Sequence, residues 1–189
     1  QALVEIEKAR LIHEEKIAAE YRKKYEAFAG EFDKLVKAGR FDEAIKKGEP
    51  LKGKLGPELE KQLGADLSLA TGAAGFLQGL RSQLKKAAKG SFVVRLPMGS
   101  ARFAGYDSEK DQLDFKFGAG STSVKLADFK GEKLLDLARR SAGGKLPAAE
   151  AKGAACYLLA RGEAAGVQEL LKSAEGAGAN ITDLETRLA

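Results

Sequence analysis

Residues 91–130 read SFVVRLPMGSARFAGYDSEKDQLDFKFGAGSTSVKLADFK, and the pattern in this stretch decides the fold. Apolar residues alternate with others in FVVRL (92–96), in LDFKF (113–117) and in VKL (124–126). In an extended chain successive side chains point to opposite faces, so a period of two is typical of half-buried strands. This stretch is therefore predicted to form a β-sheet.

Four strands are predicted here, at 92–97, 101–106, 112–117 and 122–126. The links between them are short and carry glycine or polar residues, which favours antiparallel neighbours in a meander. A sheet of four short strands is small, so we expect helices to cover one of its faces.

Helical patterns lie on both sides of the sheet. Before it, a long helix runs to about Lys37, a short helix spans 41–47, and a second long helix begins at Pro57 and ends at Gly90. After it, helices are predicted at 132–140, 147–160 and 163–173, and Thr182 with Glu185 has the capping-box spacing for a last short helix. The fold class is thus α+β and mainly helical. Segments 1–90, 91–130 and 131–189 are expected to form one compact unit.

The first helix has an uneven apolar stripe. Its second half carries apolar residues three and four apart, namely Tyr21, Tyr25, Phe28, Phe32 and Leu35. Further back the stripe thins to Val4, Leu11 and Ala18, seven apart. We expect that first part to project, or to pack on another molecule or domain.

Composition excludes several classes of protein. With 44% apolar and 31% charged residues the 189-residue chain is an ordinary globular protein, and no apolar run approaches the roughly 18 residues of a membrane span. The single cysteine excludes an internal disulfide. Because the chain begins at Gln1, we expect a piece of a longer protein or a mature form, and the compartment is unknown.

The net charge of +5 is concentrated in one segment. Residues 61–90 carry Asp66 as their one acid against five basic residues: Lys61, Arg81, Lys85, Lys86 and Lys89. The last four form a candidate phosphate-binding patch near the sheet. Alternatively, they gather at a helix C-terminus because its partial charge is negative. For base stacking, Phe103 and Tyr106 are the candidate aromatic residues.

The other candidate sites have simpler explanations. His13 has neighbouring glutamates but no second histidine, which is typical of a solvated residue. Cys156 lies in an apolar helix, which favours packing over nucleophilic chemistry. The acidic residues between 107 and 114 (Asp107, Glu109, Asp111 and Asp114) lack calcium-loop spacing and suit a hairpin turn. The glycines of 118–121 precede a strand, which indicates a turn.

Two resemblances bear on function. The run AGRFDEAI at 38–45 resembles the turn and second-helix start of a tetratricopeptide repeat, and LLARGEAA at 158–165 echoes it without the aromatic residue. The meander, with Gly99 in its first turn and Ala104-Gly105 in its second strand, is similar to small Sm-like and Tudor-like barrels. Such barrels often bind RNA or peptides, which the resemblance implies as an expectation here.

The function we predict is non-catalytic protein–protein interaction or scaffolding, as a module of a larger, bacterial-looking protein. The helical hairpins, with their surfaces of small residues, would provide the contact face for another protein or domain. The alternative is an accessory nucleic-acid-binding domain that uses the sheet and the Arg81–Lys89 cluster. An enzyme is not expected, because no nucleophile, base and orienting group can be combined, and no cofactor or metal is predicted.

Overall fold

A computed structural model describes residues 2–144, 146–163, 165–182 and 184. The chain forms α1 (Ala2–Lys37), α2 (Phe41–Gly48), α3 (Pro57–Lys86), β1 (Val93–Leu96), β2 (Gly99–Asp107), β3 (Gln112–Phe117), β4 (Gly120–Lys125), α4 (Gly131–Ser141), α5 (Ala148–Ala160) and α6 (Val167–Gly176). Single 3₁₀ turns lie at Glu49–Leu51 and Leu126–Asp128. The predicted class, α+β with a small antiparallel sheet between two helical segments, is confirmed.

The chain divides into two compact units. One comprises Gln1–Thr71 with Asp183–Ala189, and the other comprises Gly72–Thr182. Helix α3 contributes its first part to one unit and its second part to the other. The prediction that the three sequence segments form one compact unit stays a prediction.

The hairpin of α1 and α2 forms part of the first unit. Gly39, with φ of 77°, ends α1 in the left-handed conformation that glycine adopts without steric cost, as the sequence predicts. Chain reversal brings Phe41 and Ala44 of α2 into the core with the buried aromatic residues of α1, Phe28 and Phe32. The local sequence AGRFDEAI therefore does specify a turn followed by an inward-facing aromatic residue.

Two side-chain contacts join α3 to this hairpin. A Cβ atom at Gly48 would lie 3.0 Å from the ring of Phe28 and closer still to Leu67, so glycine permits the approach. Tyr25 Oη donates a hydrogen bond of 2.8 Å to Asp66 Oδ2, and Asp66 is only 3% exposed. A buried carboxylate is tolerated where it accepts such bonds, so Asp66 ties α3 to α1.

In the second unit the four strands form a meander in the order β1-β2-β3-β4, with every neighbouring pair antiparallel. The predicted alternation is confirmed: Val94, Phe103 and Phe115 are buried, whereas Arg102 and Lys116 are exposed. On the inner face an aromatic row crosses the strands. The ring centroids are 4.6 Å apart for Phe92–Phe103, 6.3 Å for Phe103–Phe115 and 6.2 Å for Phe115–Phe129.

Helices α3 and α5 approach closely where glycines face each other. A Cβ atom at Gly72 would lie 2.9 Å from Cβ of Cys156, and one at Gly153 would lie 3.0 Å from the carbonyl oxygen of Gly72. The predicted close approach on the glycines of α3 is therefore found at Gly72. A Cβ atom at Gly64 or Gly75 would meet nothing within 4 Å.

Three predicted helix boundaries differ from the structure, including the C-terminal end of α6, which lies at Gly176 and not at 173. Helix α3 ends at Lys86, because Gly90 turns with φ of 80° and donates its N–H to the carbonyl of Phe103. Helix α6 begins at Val167 and not at Glu163, because Gly166 has φ of 78° and interrupts helical geometry. For the last predicted helix, Glu185 lies outside the described residues.

The burial of Phe115 on the inner face of the sheet leads to a prediction about stability. Phe115→Ala should lower the free energy of unfolding by about 3–5 kcal/mol, because the Phe115 side chain is 0% exposed and truncation leaves a cavity. The exposed neighbour Lys116→Ala should change it by less than about 0.5 kcal/mol. Urea melts measure both values, and equal losses would contradict the strand register.

The helix crossing gives a second prediction with a control on the same helix. Gly72→Ala should destabilise the protein by about 1–3 kcal/mol, because its methyl group would overlap Cys156. Gly75→Ala, where the space is open, should stabilise by about 0.5–1 kcal/mol through helix propensity. Thermal melts compare them, and a Gly72→Ala protein as stable as the wild type would show that α3 and α5 are not in contact there.

Candidate functional site

The predicted basic patch is divided by the structure. Lys85 and Lys86 lie in the last turn of α3 and are exposed, and Lys89 is exposed three residues beyond the helix end. Arg81, one turn earlier, bonds to Asp111 in the turn between β2 and β3. A helix C-terminus explains the positions of Lys85 and Lys86, while Lys89 belongs to the segment that enters the sheet.

Arg81, Asp111 and Tyr106 form a cluster between α3 and the β2–β3 turn. Arg81 donates two bonds to the Asp111 carboxylate, from Nε to Oδ1 at 3.1 Å and from Nη2 to Oδ2 at 2.7 Å. Tyr106 Oη donates a short bond to the same Oδ1. Asp111 also holds the turn, because it has φ of 50° and its carbonyl accepts the N–H of Leu126 at 2.8 Å. A planar guanidinium paired with two carboxylate oxygens gives a directional link between helix and sheet.

The pKa values of the cluster follow from these bonds. The hydrogen bonds from Arg81 hold the pKa of Asp111 below its ordinary value, and the same pairing raises the pKa of Arg81. Partial burial, with the bond to Asp111, raises the pKa of Tyr106 to about 12. At neutral pH the cluster therefore holds one anion, one cation and a protonated phenol, which satisfy one another.

The acidic stretch between 107 and 114 forms a hairpin turn, as predicted. Asp107 Oδ1 accepts the backbone N–H groups of Glu109 and Lys110, at 3.0 and 3.2 Å, which also lowers the pKa of Asp107. Asp114 accepts the hydroxyl of Ser123 at 2.6 Å. These carboxylates thus serve turn geometry and strand pairing.

His13 and Cys156 lie in contrasting environments. His13 is exposed on α1, among charged residues. Cys156 is buried, as predicted, and burial raises its pKa to about 11, so the thiol is protonated at neutral pH and packs against Gly72. Within the described residues there is no group of three or more histidine, cysteine, aspartate or glutamate side chains placed to hold a metal ion.

The aromatic residues proposed for base stacking are occupied. Phe103 is buried between Phe92 and Phe115 in the aromatic row, and Tyr106 is bonded to Asp111. That expectation is wrong, because the face of the sheet that carries Phe103 is the core face. A nucleic acid on this sheet would contact side chains of the opposite face.

Helix α1 has a long exposed segment, residues 5–16, in which every residue is exposed. Three large apolar side chains lie there: Ile6 is 66% exposed, Leu11 is 49% and Ile12 is 54%. The predicted thinning of the apolar stripe before Ala18 thus coincides with the part of α1 on which no other described element packs closely enough to bury the side chains. No helix in the described part of the chain is long and apolar enough to cross a bilayer.

Among the cavities lined by described residues, two lie in the second unit. One, of about 400 Å³, is lined by Arg95, Phe129, Glu132 and Asp136 among others. The second, of about 250 Å³, is lined by Arg139, Ala151, Glu169 and Ser173 among others. Both mix charges of opposite sign, so neither has the convergent polar groups in an apolar lining that are typical of small-molecule sites.

Sequence reasoning missed the Arg81–Asp111 pair and the row of cations across the outer face of the sheet. The first joins residues 30 apart, so no local pattern predicts it. The second could have been found by placing Arg102 opposite Lys116 in the predicted hairpin, since both alternate away from buried phenylalanines.

Comparison of the chain with protein-family models, curated proteins and solved structures gives no significant match. The resemblances to tetratricopeptide hairpins and to Sm-like or Tudor-like barrels therefore stay predictions.

The Arg81–Asp111 pair predicts a pH-dependent contribution to stability. Asp111→Asn should cost about 1–2 kcal/mol at pH 7, the lower part of the range for charge-assisted bonds because the pair is partly exposed. Asparagine tolerates positive φ, so the turn should survive. Because the native pKa of Asp111 is depressed, the stabilisation is complete above the unfolded-state pKa, near 3.8, and is lost as pH falls through the lower native value.

Urea melts of wild type and Asp111→Asn from pH 7 to pH 2 measure this difference. The two free energies of unfolding should converge at the acid end of the series. Glu109→Gln, an exposed change in the same turn, should alter the free energy by less than about 0.5 kcal/mol at pH 7. A constant difference between wild type and Asp111→Asn at every pH would contradict the proposed ionic link.

Proposed function

We propose that this chain is a non-catalytic protein–protein interaction module, and that residues 5–16 of α1 form its contact segment. The observation that carries the proposal is the exposure of Ile6, Leu11 and Ile12 on one uninterrupted helix. Because the helix that carries these apolar side chains is already formed, a partner that binds them does not have to order the backbone, and the entropic cost of binding is lower.

The directions of these side chains indicate the shape of the partner. Successive residues turn by about 100°, so Leu11 and Ile12 lie on adjacent faces and Ile6 lies about 140° from Leu11. A flat surface would cover one of them at a time. Ile12 lies about 120° from Ile6, so the three side chains are spread around the whole helix. A partner that encloses α1, such as two or more helices packed around it, would cover all three, and we propose such an enclosing apolar site on another protein or domain as the partner.

Charges beside the apolar residues would set the register of binding. Arg10 pairs with Glu7 at 3.0 Å and with Glu14 at 3.5 Å, on the surface of the same helix. Exposed pairs of this kind contribute little to stability. They would favour binding to a partner whose interface rim carries complementary charges.

The sequence prediction named the small-residue surfaces of the helical hairpins as the contact face. Of these, Gly72 and Gly153 face each other inside the second unit, whereas Gly64 and Gly75 have open space beside them. Because the large exposed apolar side chains that we use lie on α1, we place the proposed contact face there, while the proposed function is unchanged.

The double variant Leu11→Ala/Ile12→Ala tests this proposal. Full burial of such a side chain is worth about 1.5–3 kcal/mol, and about half of each remains to be buried, so the pair should contribute about 2 kcal/mol to binding. That is about a 30-fold change in dissociation constant. Alanine keeps helix propensity, so the melting temperature should not fall.

A photo-reactive residue at the exposed position Ala9 would first identify candidates in the native cells, and each candidate would then be purified and titrated by calorimetry. The matched control is Lys8→Ala/Glu15→Ala, which removes exposed charges of both signs from the same segment. A purified partner whose affinity falls about 30-fold with the apolar variant, and less than threefold with the control, supports the proposal. Failure of every candidate to bind as a purified protein, or equal effects of the two variants, overturns it.

A further inference from the structure

We propose that the outer face of the sheet, around Lys89, Arg102 and Lys116, binds the phosphate backbone of a double-stranded nucleic acid without reading its sequence. This is a site separate from α1 and independent of the function proposed above. It also differs from the Arg81–Lys89 cluster of the sequence prediction, since Arg81 is paired and the sheet supplies two of the cations.

The strand register places the cations of the sheet side by side. Arg102 of β2 is directly opposite Lys116 of β3, and the same row continues to Val93 of β1 and Ser121 of β4. Directly opposite residues have Cβ atoms about 4.5–5.5 Å apart. Arg102 and Lys116 are both exposed, so their charged groups reach solvent from one spot.

Lys89 enters the same surface through its neighbour Gly90. The Gly90 N–H donates to the carbonyl of Phe103 at 2.7 Å, which fixes this segment beside β2. A Cβ atom at Gly90 would lie 3.4 Å from Cδ of Arg102, so the arginine side chain lies against the glycine. The exposed Lys89 directly precedes the glycine against which Arg102 lies, so its backbone position adds a third cation beside the pair on the sheet.

This arrangement is unfavourable for the protein alone. Like charges directly opposite on a sheet repel, and a fold gains nothing from placing Arg102 against Lys116. Among the described residues, none of the three cations forms a salt bridge with an acidic side chain. Asp114, the acid on this face of β3, accepts a bond from Ser123. A polyanion would relieve the repulsion.

The remaining groups on the face favour backbone contact over base readout. The uncharged neighbours are Val93, Ser100 and Ser121, and serine hydroxyls commonly contact phosphate oxygens. The phenylalanines of β2 and β3 point into the core or, like Phe117, cover Gly120. Without exposed aromatic rings for stacking, single strands are poor ligands, whereas a duplex presents regularly spaced phosphates.

Arg95 is not counted among the proposed phosphate contacts, because it lines a cavity together with the acidic residues Glu132 and Asp136.

The test is a salt titration of binding to a 20-base-pair DNA duplex of random sequence, followed by fluorescence anisotropy. Three phosphate contacts predict a slope of log affinity against log salt of about −2.7, which is about a 20-fold loss between 50 and 150 mM. Arg102→Gln/Lys116→Gln should reduce the slope to about −0.9, because each lost contact removes about 0.9. Both residues are exposed, so thermal melts should show unchanged folding.

Three comparisons make the result specific to this surface. Lys16→Gln/Lys23→Gln on α1 changes the net charge equally and should keep the wild-type slope. Lys85→Gln/Lys86→Gln removes the helix-terminal cations and should keep it too. Vesicles of phosphatidylserine and phosphatidylcholine offer anionic charge on a membrane and should bind more weakly than the duplex.

A slope near −2.7 that falls only in the sheet variant supports the proposal. It is overturned by undetectable duplex binding at 50 mM salt, by equal loss in the α1 control, or by loss that follows Lys85 and Lys86 instead. Stronger binding to the vesicles than to the duplex would also overturn it, in favour of a membrane surface. None of these outcomes affects the role proposed for α1, which depends on apolar side chains.

Discussion

The aromatic row on the inner face of the sheet is the constraint on which the second unit depends. Phe92, Phe103, Phe115 and Phe129 touch in sequence across the strands and into the segment before α4. Four short strands do not hold together in water by backbone hydrogen bonds alone, because unfolded peptide groups bond equally well to solvent. Burial of these rings supplies the missing free energy and fixes which face of every strand is inward.

Fixing the inner face also fixes the outer one. Once Phe103 and Phe115 are inward, the strand period places Arg102 and Lys116 outward and opposite each other. The cations of the outer face are thus a consequence of the same alternation that makes the core. Uncharged residues at these two positions would fit the same strand pairing, so the two like charges support the anionic ligand that we propose.

Arg81 shows how tertiary contact changes the meaning of a charge. In the sequence Arg81 belongs to a group of cations near the end of a helix, and without a partner its charge would add to a phosphate-binding patch. Its bidentate pairing with Asp111 neutralises it and uses it to orient the β2–β3 turn against α3. Lys89, Arg102 and Lys116, which form no salt bridge within the described part of the chain, are then the cations we propose for contact with a polyanion.

The sequence by itself determined the secondary structure and the fold class, because both depend on local periodicity. The strand alternation, the left-handed turn at Gly39 and the antiparallel order were all readable from residues a few positions apart. Helix ends at Lys86 and Val167 were not, because they depend on where Gly90 and Gly166 must turn. Only the tertiary structure decided that Gly72 meets Cys156, that Asp111 holds Arg81 and that Ile12 stays exposed. The first two facts join residues far apart in the chain, and the exposure of Ile12 depends on which other elements pack on α1. The free energy of such contacts depends on packing in three dimensions, which no local pattern records.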